Sequence, residues 1–358
     1  MTRVLIVEPA GNLWGSERAL LDLVDAARDL DIAVCCPPGA PLKVELERRR
    51  IRTLPWFIAE LHRKPRWRRL QAALGVIRAC ITFRPDVIHL NQSGAYRTAL
   101  PAASLLNLPV VCHVRIFEDV AYLAERISIP QRLKALIAIS GAVETEIRRF
   151  PTLRTVPVHR IYDAYTRAAG VVGVKQQASR FACVGRITPI KGQDVLLRAL
   201  QITSLFEGEV EGLIVGDGEV DYVRLLREME PAKGPVRVTW TGFLADVAPL
   251  LQTCRVLVCS SHREPLGRVI FEAWDAGATP VVFAGAGGAA EVVLASGGGL
   301  LYAQQTPESL ARTLAEALRM SESERSRLVA NGRAWMTKHC APESYGRALA
   351  AVLERASA

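Results

Sequence analysis

The stretch RFACVGRITPIKGQDVLLRALQIT (residues 180–203) contains the unit from which the fold is built. Its first seven residues are a short apolar run that predicts a β-strand, and the next five predict a turn. The rest predicts a helix, because Val195, Leu196, Ala199 and Leu200 recur on one side. Strand, turn and helix in this order form the repeating unit of a doubly wound parallel sheet.

The same unit recurs on both sides of this stretch. The run RVLIVEP near the N terminus is followed by SERALLDLVDAARDL, whose apolar residues have helical spacing. Seven other apolar runs have the length of strands: DIAVCCP, PDVIHLN, PVVCHVR, GLIVGDG, VRVTWTG, RVLVCSS and TPVVFAG. Their apolar character is nearly continuous, which is typical of parallel strands buried on both faces.

Two such series predict an α/β protein with two Rossmann-like domains that face each other across a deep cleft. Residues 165–178 are mostly small or polar and show no hydrophobic periodicity, so they mark the boundary between the two domains. We predict an N-terminal domain over 1–168 and a C-terminal domain over 169–340. A final helix over 341–358 is expected to pack back toward the N-terminal domain.

Length and composition also exclude some classes of protein. Half of the 358 residues are hydrophobic, which supplies a large core and argues against disorder. The N-terminal apolar run is too short for a secretory signal, and no run approaches the roughly 18 to 20 apolar residues of a membrane span. The eight cysteines form no C-x-x-C pair, so buried, reduced thiols in a cytoplasmic protein are expected.

The net charge of +9 is concentrated in one window. Residues 48–69 hold nine basic residues and one acidic residue, with Trp56, Phe57 and Trp67 among them. This pattern fits an ordinary solvated helix face, an anionic membrane surface or, less well, nucleic acid. The candidate membrane-surface residues are Arg63, Lys64, Arg66, Trp67, Arg68 and Arg69.

Polar residues follow four predicted strands of the second domain. Arg186 ends the first strand and Lys191 lies at the start of the next helix. The segments VGDGE (215–219), TGFLAD (241–246) and SSHREPLG (260–267) follow the other three. Because these loops share one edge of the sheet, an Arg, a Lys and free helix N–H groups there are suited to a diphosphate.

Two glutamates in this region are separated by seven residues. Glu264 lies in a glycine-bearing turn, and Glu272 lies about a turn and a half into the predicted helix RVIFEAWDA, which ends at Gly277. A carboxylate can accept hydrogen bonds in pairs, and both a ribose and a hexose offer adjacent hydroxyls. A carboxylate in an otherwise apolar helix also needs a partner. The pair therefore indicates a bound nucleotide and sugar.

These motifs resemble those of the family 4 glycosyltransferases, retaining enzymes of GT-B fold. The resemblance is densest over 180–312, in VGRITPIKGQDVLLRAL, IVGDGE, TGFLADVAPLL, SSHREPLGRVIFEAWDAGATPVV, GGAAEVV, GLLY and PESLA. In the first half it is carried by GSERALLDLV, by PVVCHVR with His113 at a strand end, and by IAISGAVETEI.

The resemblance implies a role for each matching residue. The catalytic set is Arg186 and Lys191 on the donor diphosphate, Glu264 on the transferred sugar, and His113 beside the sugar. Glu272 would bind the ribose hydroxyls. The further donor-binding residues are Gly15, Gly216, Thr241, Gly242, Phe243, Leu266, Gly267 and Arg268. The acceptor-binding residues are Trp14, Ser16 and Glu17.

Four positions depart from the family pattern. Trp14 stands where many members have a small residue, which affects the shape of the acceptor loop. Pro265 and Leu266 replace a frequent glycine and phenylalanine, and Asp163 stands at a usual asparagine position. None of these changes removes a charge that the chemistry needs.

In such enzymes the leaving phosphate itself can take the proton of the acceptor hydroxyl. Glu264 is therefore not expected to be a nucleophile, and cations beside the phosphate lower the barrier. No metal and no cofactor is expected, because the one D-x-D, Asp29–Asp31, precedes a strand and lies at the wrong edge of the sheet.

The sequence thus predicts a retaining, metal-independent hexosyltransferase. It would use a nucleoside-diphosphate sugar and a glycan or lipid-linked acceptor, in cell-surface polysaccharide or glycolipid assembly. We expect a cytoplasmic protein, peripheral on the membrane and not bound to nucleic acid.

The alternatives are a nucleotide-sugar epimerase, a phosphorylase-like enzyme or a non-catalytic nucleotide-sugar-binding protein on the same fold. A nicotinamide-dependent oxidoreductase is a further alternative, because GAGGAA (285–290) matches G-x-G-x-x-A, although its helix is short.

Overall fold

The computed structural model describes residues 1–13, 15–56, 66–127, 130–166, 176–206 and 208–358. The chain forms two compact units. Unit 1 contains Met1–Thr166 and His339–Ala358, and unit 2 contains Arg167–Lys338. The predicted boundary at 168/169 lies outside the described residues.

Unit 1 is built on a parallel sheet of seven strands in the order β3-β2-β1-β4-β5-β6-β7. The strands are β1 (Arg3–Val7), β2 (Asp31–Cys36), β3 (Arg52–Pro55), β4 (Val87–Leu90), β5 (Val110–Val114), β6 (Leu133–Ala138) and β7 (Val158–Arg160). Val4, Leu5, Ile6 and Val7 of the interior strand β1 have no exposed surface. Both faces of the sheet are therefore covered, as the continuous apolar runs predict.

Seven helices of unit 1 connect and cover these strands in the described residues. They are α1 (Gly15–Ala26), α2 (Pro41–Arg48), α3 (Arg66–Phe83), α4 (Tyr96–Leu105), α5 (Phe117–Arg126), α6 (Gly141–Arg149) and α14 (Pro342–Ser357). The last of these packs on unit 1 although it follows unit 2 in the chain: Tyr345, Leu349, Val352 and Leu353 belong to the core beneath α1. Gly346 allows this packing, because a Cβ there would lie 2.4 Å from the carbonyl oxygen of Ala26.

Unit 2 is built on a parallel sheet of six strands in the order β10-β9-β8-β11-β12-β13. The strands are β8 (Gln177–Val184), β9 (Val210–Val215), β10 (Val236–Gly242), β11 (Cys254–Cys259), β12 (Thr279–Phe283) and β13 (Leu300–Tyr302). The helices are α7 (Gln193–Leu200), α8 (Val220–Arg227), α9 (Ala248–Leu251), α10 (Arg268–Ala276), α11 (Gly288–Ser296), α12 (Pro307–Arg319) and α13 (Glu322–His339). Phe181, Leu196, Leu200, Val256 and Tyr302 lie in a core that is separate from that of unit 1.

Most predicted elements are present, and α10 has the predicted bounds. It begins after Gly267 and ends before Gly277, and both glycines have left-handed backbone, with φ of 80° and 88°. The helix predicted from residue 192 begins one residue later, because Gly192 itself is left-handed. In the described residues, no helix combines the length and the apolar character that a bilayer crossing requires.

Candidate functional site

The loops that follow β8 and β11 are joined by hydrogen bonds. The Ser260 hydroxyl donates to the carbonyl oxygen of Lys191 at 2.9 Å. The backbone N–H of His262 donates to the carbonyl oxygen of Ile190, also at 2.9 Å. Gly192 allows this approach, since a Cβ there would lie 2.2 Å from the carbonyl oxygen of Ser260. Lys191 is thereby held beside the 260–267 loop.

Lys191 and Glu264 form an ion pair across these two loops. The distance from Nζ of Lys191 to Oε2 of Glu264 is 2.5 Å, and the Ser261 hydroxyl donates to the same oxygen at 3.1 Å. Burial alone would lower the pKa of Lys191, but the Glu264 carboxylate outweighs that effect and raises it. The lysine therefore remains charged and is held at the carboxyl end of the sheet.

A third loop holds the backbone of Glu264. Its N–H donates to the carbonyl oxygen of Ala286 at 2.5 Å, and Gly288 donates to the carbonyl oxygen of Glu264 at 2.8 Å. A Cβ on Gly288 would lie only 1.9 Å from the carbonyl oxygen of Pro265. The GAGGAA segment is thus the support of the Glu264 loop.

The remaining predicted residues of this loop lie at the start of α10. Leu266 is buried, Gly267 precedes the helix, and Arg268 is its first residue. Glu272 is the fifth residue of the helix and is partly buried. The helix N terminus therefore lies next to Glu264, where its free N–H groups favour an anion.

The loops after β9 and β10 are also in contact. The N–H of Gly216 donates to the carbonyl oxygen of Gly242 at 2.9 Å, and Phe243 N–H donates to Oδ1 of Asp217 at 3.1 Å. The Thr241 hydroxyl donates to the carbonyl oxygen of Gly242. The Phe243 ring is 54% exposed, so it is available to a flat ligand.

Arg186 lies two residues beyond the end of β8 and has an exposed side chain. Its carbonyl oxygen accepts a hydrogen bond from the Gln193 side chain at 3.0 Å, which ties this loop to the first turn of α7. Arg186 and Lys191 thus lie on the same β8–α7 connection.

In unit 1 the first residues of α1 include three predicted site residues. Gly15 begins the helix rather than lying in the loop before it. The Ser16 hydroxyl donates to Oε2 of Glu17 at 3.0 Å, and Glu17 is buried. Trp14 lies outside the described residues.

Next to these residues is a buried carboxylate that sequence reasoning missed. Glu8 accepts hydrogen bonds from Ala10 N–H at 2.8 Å, from the Gln92 side chain at 2.9 Å and from the Asn91 amide. The Gln92 amide also donates to Ser16 Oγ at 3.0 Å. Burial raises the pKa of Glu8 to about 8. The available signal was its position at the end of β1, level with Asn91 and Gln92 after β4.

His113 is fully buried at the end of β5 and contacts a second histidine. The distance from its Nδ1 to Nε2 of His89 is 2.7 Å. Burial lowers the pKa of His89 to about 3, and burial with the nearby Arg115 guanidinium holds the pKa of His113 well below its usual range. Both rings are therefore neutral, so the N–H of one ring donates a hydrogen bond to the bare nitrogen of the other.

Asp163, noted above as a departure from the family pattern, has a buried partner. Arg115 Nη1 lies 2.7 Å from Oδ1 of Asp163, and both side chains are almost fully buried. Arg115 also donates to the side-chain oxygen of Asn91 at 2.7 Å. The negative charge of Asp163 is thus neutralised by Arg115 within unit 1.

In the described part of the basic window, two arginines are taken up in ion pairs and one tryptophan is buried. Arg49 pairs with Asp25 and Glu45, and Arg48 pairs with Glu45. Trp56 is buried, and its indole N–H donates to the carbonyl oxygen of Ala72 at 2.8 Å. The predicted Trp67, Arg68 and Arg69 lie on α3, with only the backbone of Arg66 described. Arg63 and Lys64 lie outside the described residues.

All eight cysteines are buried and unpaired, as expected from their spacing. In the part of the chain that the structure describes, no three His, Cys, Asp or Glu side chains cluster in a way that could hold a metal ion.

Comparison with protein families matches both units. Residues 15–164 match the family described as Glycosyltransferase Family 4. Residues 169–335 match the family described as Glycosyl transferases group 1. The two matches together cover most of the chain.

Curated relatives align over about half of the chain. A D-inositol 3-phosphate glycosyltransferase of Kineococcus radiotolerans is 32% identical in an alignment of 206 residues that covers 50% of this chain and 46% of the relative. A GDP-mannose-dependent alpha-(1-6)-phosphatidylinositol monomannoside mannosyltransferase of Mycobacterium tuberculosis is 34% identical in an alignment of 170 residues that covers 43% of this chain and 42% of the relative. The matched part thus spans less than half the length of these relatives.

Among solved structures, Anabaena HepE in complex with UDP and glucose has a TM-score of 0.80 at 21% identity. The match covers 99% of this chain and 100% of that one. This likeness, with the two parallel sheets, confirms the predicted fold class, an α/β fold of two Rossmann-like domains of the GT-B type.

Proposed function

Because this chain belongs to the family 4 glycosyltransferases, we propose that it transfers a hexose from a nucleoside-diphosphate sugar to a hydroxyl group. The observation that carries the proposal is the ion pair of Lys191 and Glu264 at the carboxyl end of the unit 2 sheet. Such a position is where open α/β sheets bind ligands. A lysine, a helix N terminus and a carboxylate there suit a diphosphate and a sugar.

The contacts support the proposed roles of Lys191 and Glu264, and the family resemblance implies those of Arg186 and Glu272. Lys191 and Arg186 neutralise the diphosphate, and Glu264 accepts hydrogen bonds from the sugar. Glu264 already contacts Lys191 and Ser261, so its carboxylate is oriented by two donors on one oxygen. The start of α10, at Gly267 and Arg268, adds N–H groups to the diphosphate site, and Glu272 binds the ribose.

The proposed reaction proceeds with retention and without a metal. The bond between the sugar carbon and the phosphate oxygen breaks first, and negative charge develops on the phosphate beside Lys191. The acceptor oxygen then bonds to the sugar carbon on the same face, and its proton passes to the leaving phosphate. This proton transfer needs no base from the protein. Glu264 is therefore assigned to binding the sugar.

Relatives suggest the substrates. HepE has the same fold and was solved with UDP and glucose, and two curated relatives carry glycosyltransferase names that involve inositol-containing acceptors. We assign the acceptor to the class of hydroxyl-bearing glycans or lipid-linked molecules. Cell-surface polysaccharide or glycolipid assembly on the cytoplasmic face of the membrane is the proposed setting.

The first experiment measures thermal unfolding with UDP, GDP, ADP, CMP and NAD. We expect one nucleoside diphosphate to raise the Tm of the wild type. Glu272→Ala should lose that response, because it removes the carboxylate proposed to bind the ribose hydroxyls. The matched control is Glu316→Ala, which removes an exposed glutamate on another helix of unit 2 and should keep the response.

A rise with NAD alone would contradict the proposal. If one nucleotide binds, release of that nucleotide from the corresponding sugar donors is measured with lipid and glycan acceptors. Binding of the donor without transfer to any acceptor would favour the non-catalytic alternative.

A further inference from the structure

Helix α3 is apolar on two opposite sides. Its inner side is buried and consists of Ala72, Ala73, Val76, Ala79, Cys80 and Phe83. Its outer side carries four large apolar residues, Trp67, Leu70, Leu74 and Ile81, which are 55%, 62%, 54% and 60% exposed. With 3.6 residues per turn, these four lie within about 60° of one another around the helix axis.

This outer stripe differs from the other exposed apolar side chains. Leu294 in unit 2 is 74% exposed, but it is the one large exposed apolar residue on its helix among those described. Single residues of this kind are normal on protein surfaces, whereas a contiguous stripe marks an interaction surface. The four residues of α3 therefore indicate an interaction surface.

The charged residues of helix α3 itself are all of one sign. The helix contains four arginines, Arg66, Arg68, Arg69 and Arg78, and no acidic residue. The Arg68 guanidinium lies 5.1 Å from the centre of the Trp67 ring. A basic and tryptophan-bearing helix with an apolar stripe is typical of helices that lie in a lipid interface.

Two further helices of unit 1, α4 and α5, each carry one arginine. Helix α4 packs against α3, and α5 places Arg126 over the Tyr122 ring at 4.3 Å. Arg69 and Arg97 also act electrostatically on Tyr122. Arginines from three helices thus act on Tyr122, and Arg126 is also ion-paired with Glu125 of its own helix at 2.6 Å.

These observations select one partner. A second copy of the chain would bring together two α3 helices that carry arginines and no acidic residue, which like charges oppose. Nucleic acid would satisfy the arginines but would not bury four exposed aliphatic and indole side chains. A bilayer that contains anionic lipid satisfies both, because it offers negative head groups above an apolar interior.

We propose that the outer face of α3 docks onto an anionic lipid bilayer. Trp67, Leu70, Leu74 and Ile81 enter the level of the head groups, and Arg68 and Arg78 contact lipid phosphates. The basic surface predicted from the sequence ended at Arg69. The proposal adds Arg78, about two and a half turns further along α3, and the three aliphatic residues of the stripe. It stands on this surface alone and does not require the proposed sugar transfer.

The test is co-sedimentation of the full chain with vesicles at low salt. One vesicle type is phosphatidylcholine alone, and the other contains added phosphatidylglycerol. We expect the wild type to bind the anionic vesicles and to dissociate as salt rises. The double variant Leu70→Glu/Leu74→Glu should bind at least about tenfold more weakly, which corresponds to about 1.4 kcal/mol.

Leu294→Glu is the matched control, because it places the same charge at an exposed leucine of unit 2 and should bind as the wild type does. The unfolding temperature of each variant, measured without lipid, shows that it is folded. Equal binding of the double variant and the wild type, or no wild-type binding at low salt, would overturn the proposal. A change in oligomeric state of the double variant without wild-type vesicle binding would instead assign the stripe to a second copy.

The nucleotide experiment above uses no lipid, so the two proposals fail independently. A protein that binds vesicles but no nucleotide would keep the docking surface and lose the transfer reaction. The reverse result would keep the reaction and lose the surface.

Discussion

Lys191 and Glu264 lie 73 positions apart in the chain, yet their side chains form one ion pair. Each was predicted to belong to a ligand site because it lies on a loop after a strand. Their pairing was not predicted, because it depends on the left-handed Gly192 and on the Ser260 hydrogen bond that joins the two loops. Glu8 was missed for a related reason: its partners Asn91 and Gln92 are distant in sequence and lie on another strand end.

We predict that the Lys191–Glu264 pair matters both for stability and for rate. Lys191→Met should lower the transfer rate by about 10²- to 10³-fold, because it removes a cation from the phosphate on which charge develops. The unfolding free energies of Lys191→Met, Glu264→Gln and the double variant should be non-additive by about 0.5–3 kcal/mol. Chemical denaturation and steady-state kinetics measure the two effects.

Arg180→Met provides the control for that experiment. It breaks another partly buried ion pair of unit 2, Arg180–Glu211 at 2.7 Å, which joins the neighbouring strands β8 and β9. It should lower stability and leave the rate unchanged. A wild-type rate for Lys191→Met would remove Lys191 from the proposed mechanism.

At the scale of elements, short apolar runs and glycines were the reliable signals. Helix α10 was predicted to its ends because glycine residues border it on both sides.

The edge strand β3 was missed because it is short and polar. Arg52 and Pro55 are exposed, so its four residues show no buried pattern. The role of GAGGAA as a support of the Glu264 loop also required the structure, since its fingerprint alone suggests a nucleotide site.

Helix α11 begins at Gly288 against the Glu264 loop, and we predict that Gly288→Ala disturbs this contact. The added Cβ would lie 1.9 Å from a backbone oxygen, so the loop or the helix must move. We expect a loss of about 1–3 kcal/mol in unfolding free energy and a smaller Tm response to the bound nucleotide. Gly94→Ala is the control, because a Cβ there meets no atom within 4 Å. Equal stability and response in both variants would contradict the contact.

The chain as a whole passes from unit 1 to unit 2 and back. The two repeated series of strand and helix were sufficient to predict two Rossmann-like domains and the fold class. The sequence could not fix the strand order in each sheet, because parallel crossovers of similar length permit several orders.

We predict that truncation of one buried side chain on α14 destabilises unit 1. Leu349→Ala should cost about 2–5 kcal/mol, because Leu349 has no exposed surface and packs in the core of that unit. Leu105→Ala, at a leucine of unit 1 that is 69% exposed, should change stability by less than about 0.5 kcal/mol. Thermal unfolding of both variants decides the point, and equal Tm values would show that α14 is not part of this core.

The return of α14 has a consequence for folding during synthesis. A ribosome makes residues 1–166 first, but the core of those residues lacks Leu349, Val352 and Leu353 until unit 2 has been translated. Unit 2 is continuous in sequence, and its described buried apolar residues lie between Phe181 and Met336. Vectorial synthesis therefore reverses the usual order, in which the N-terminal domain folds first. The later-made unit can complete its fold while the earlier one still exposes the surface that α14 covers.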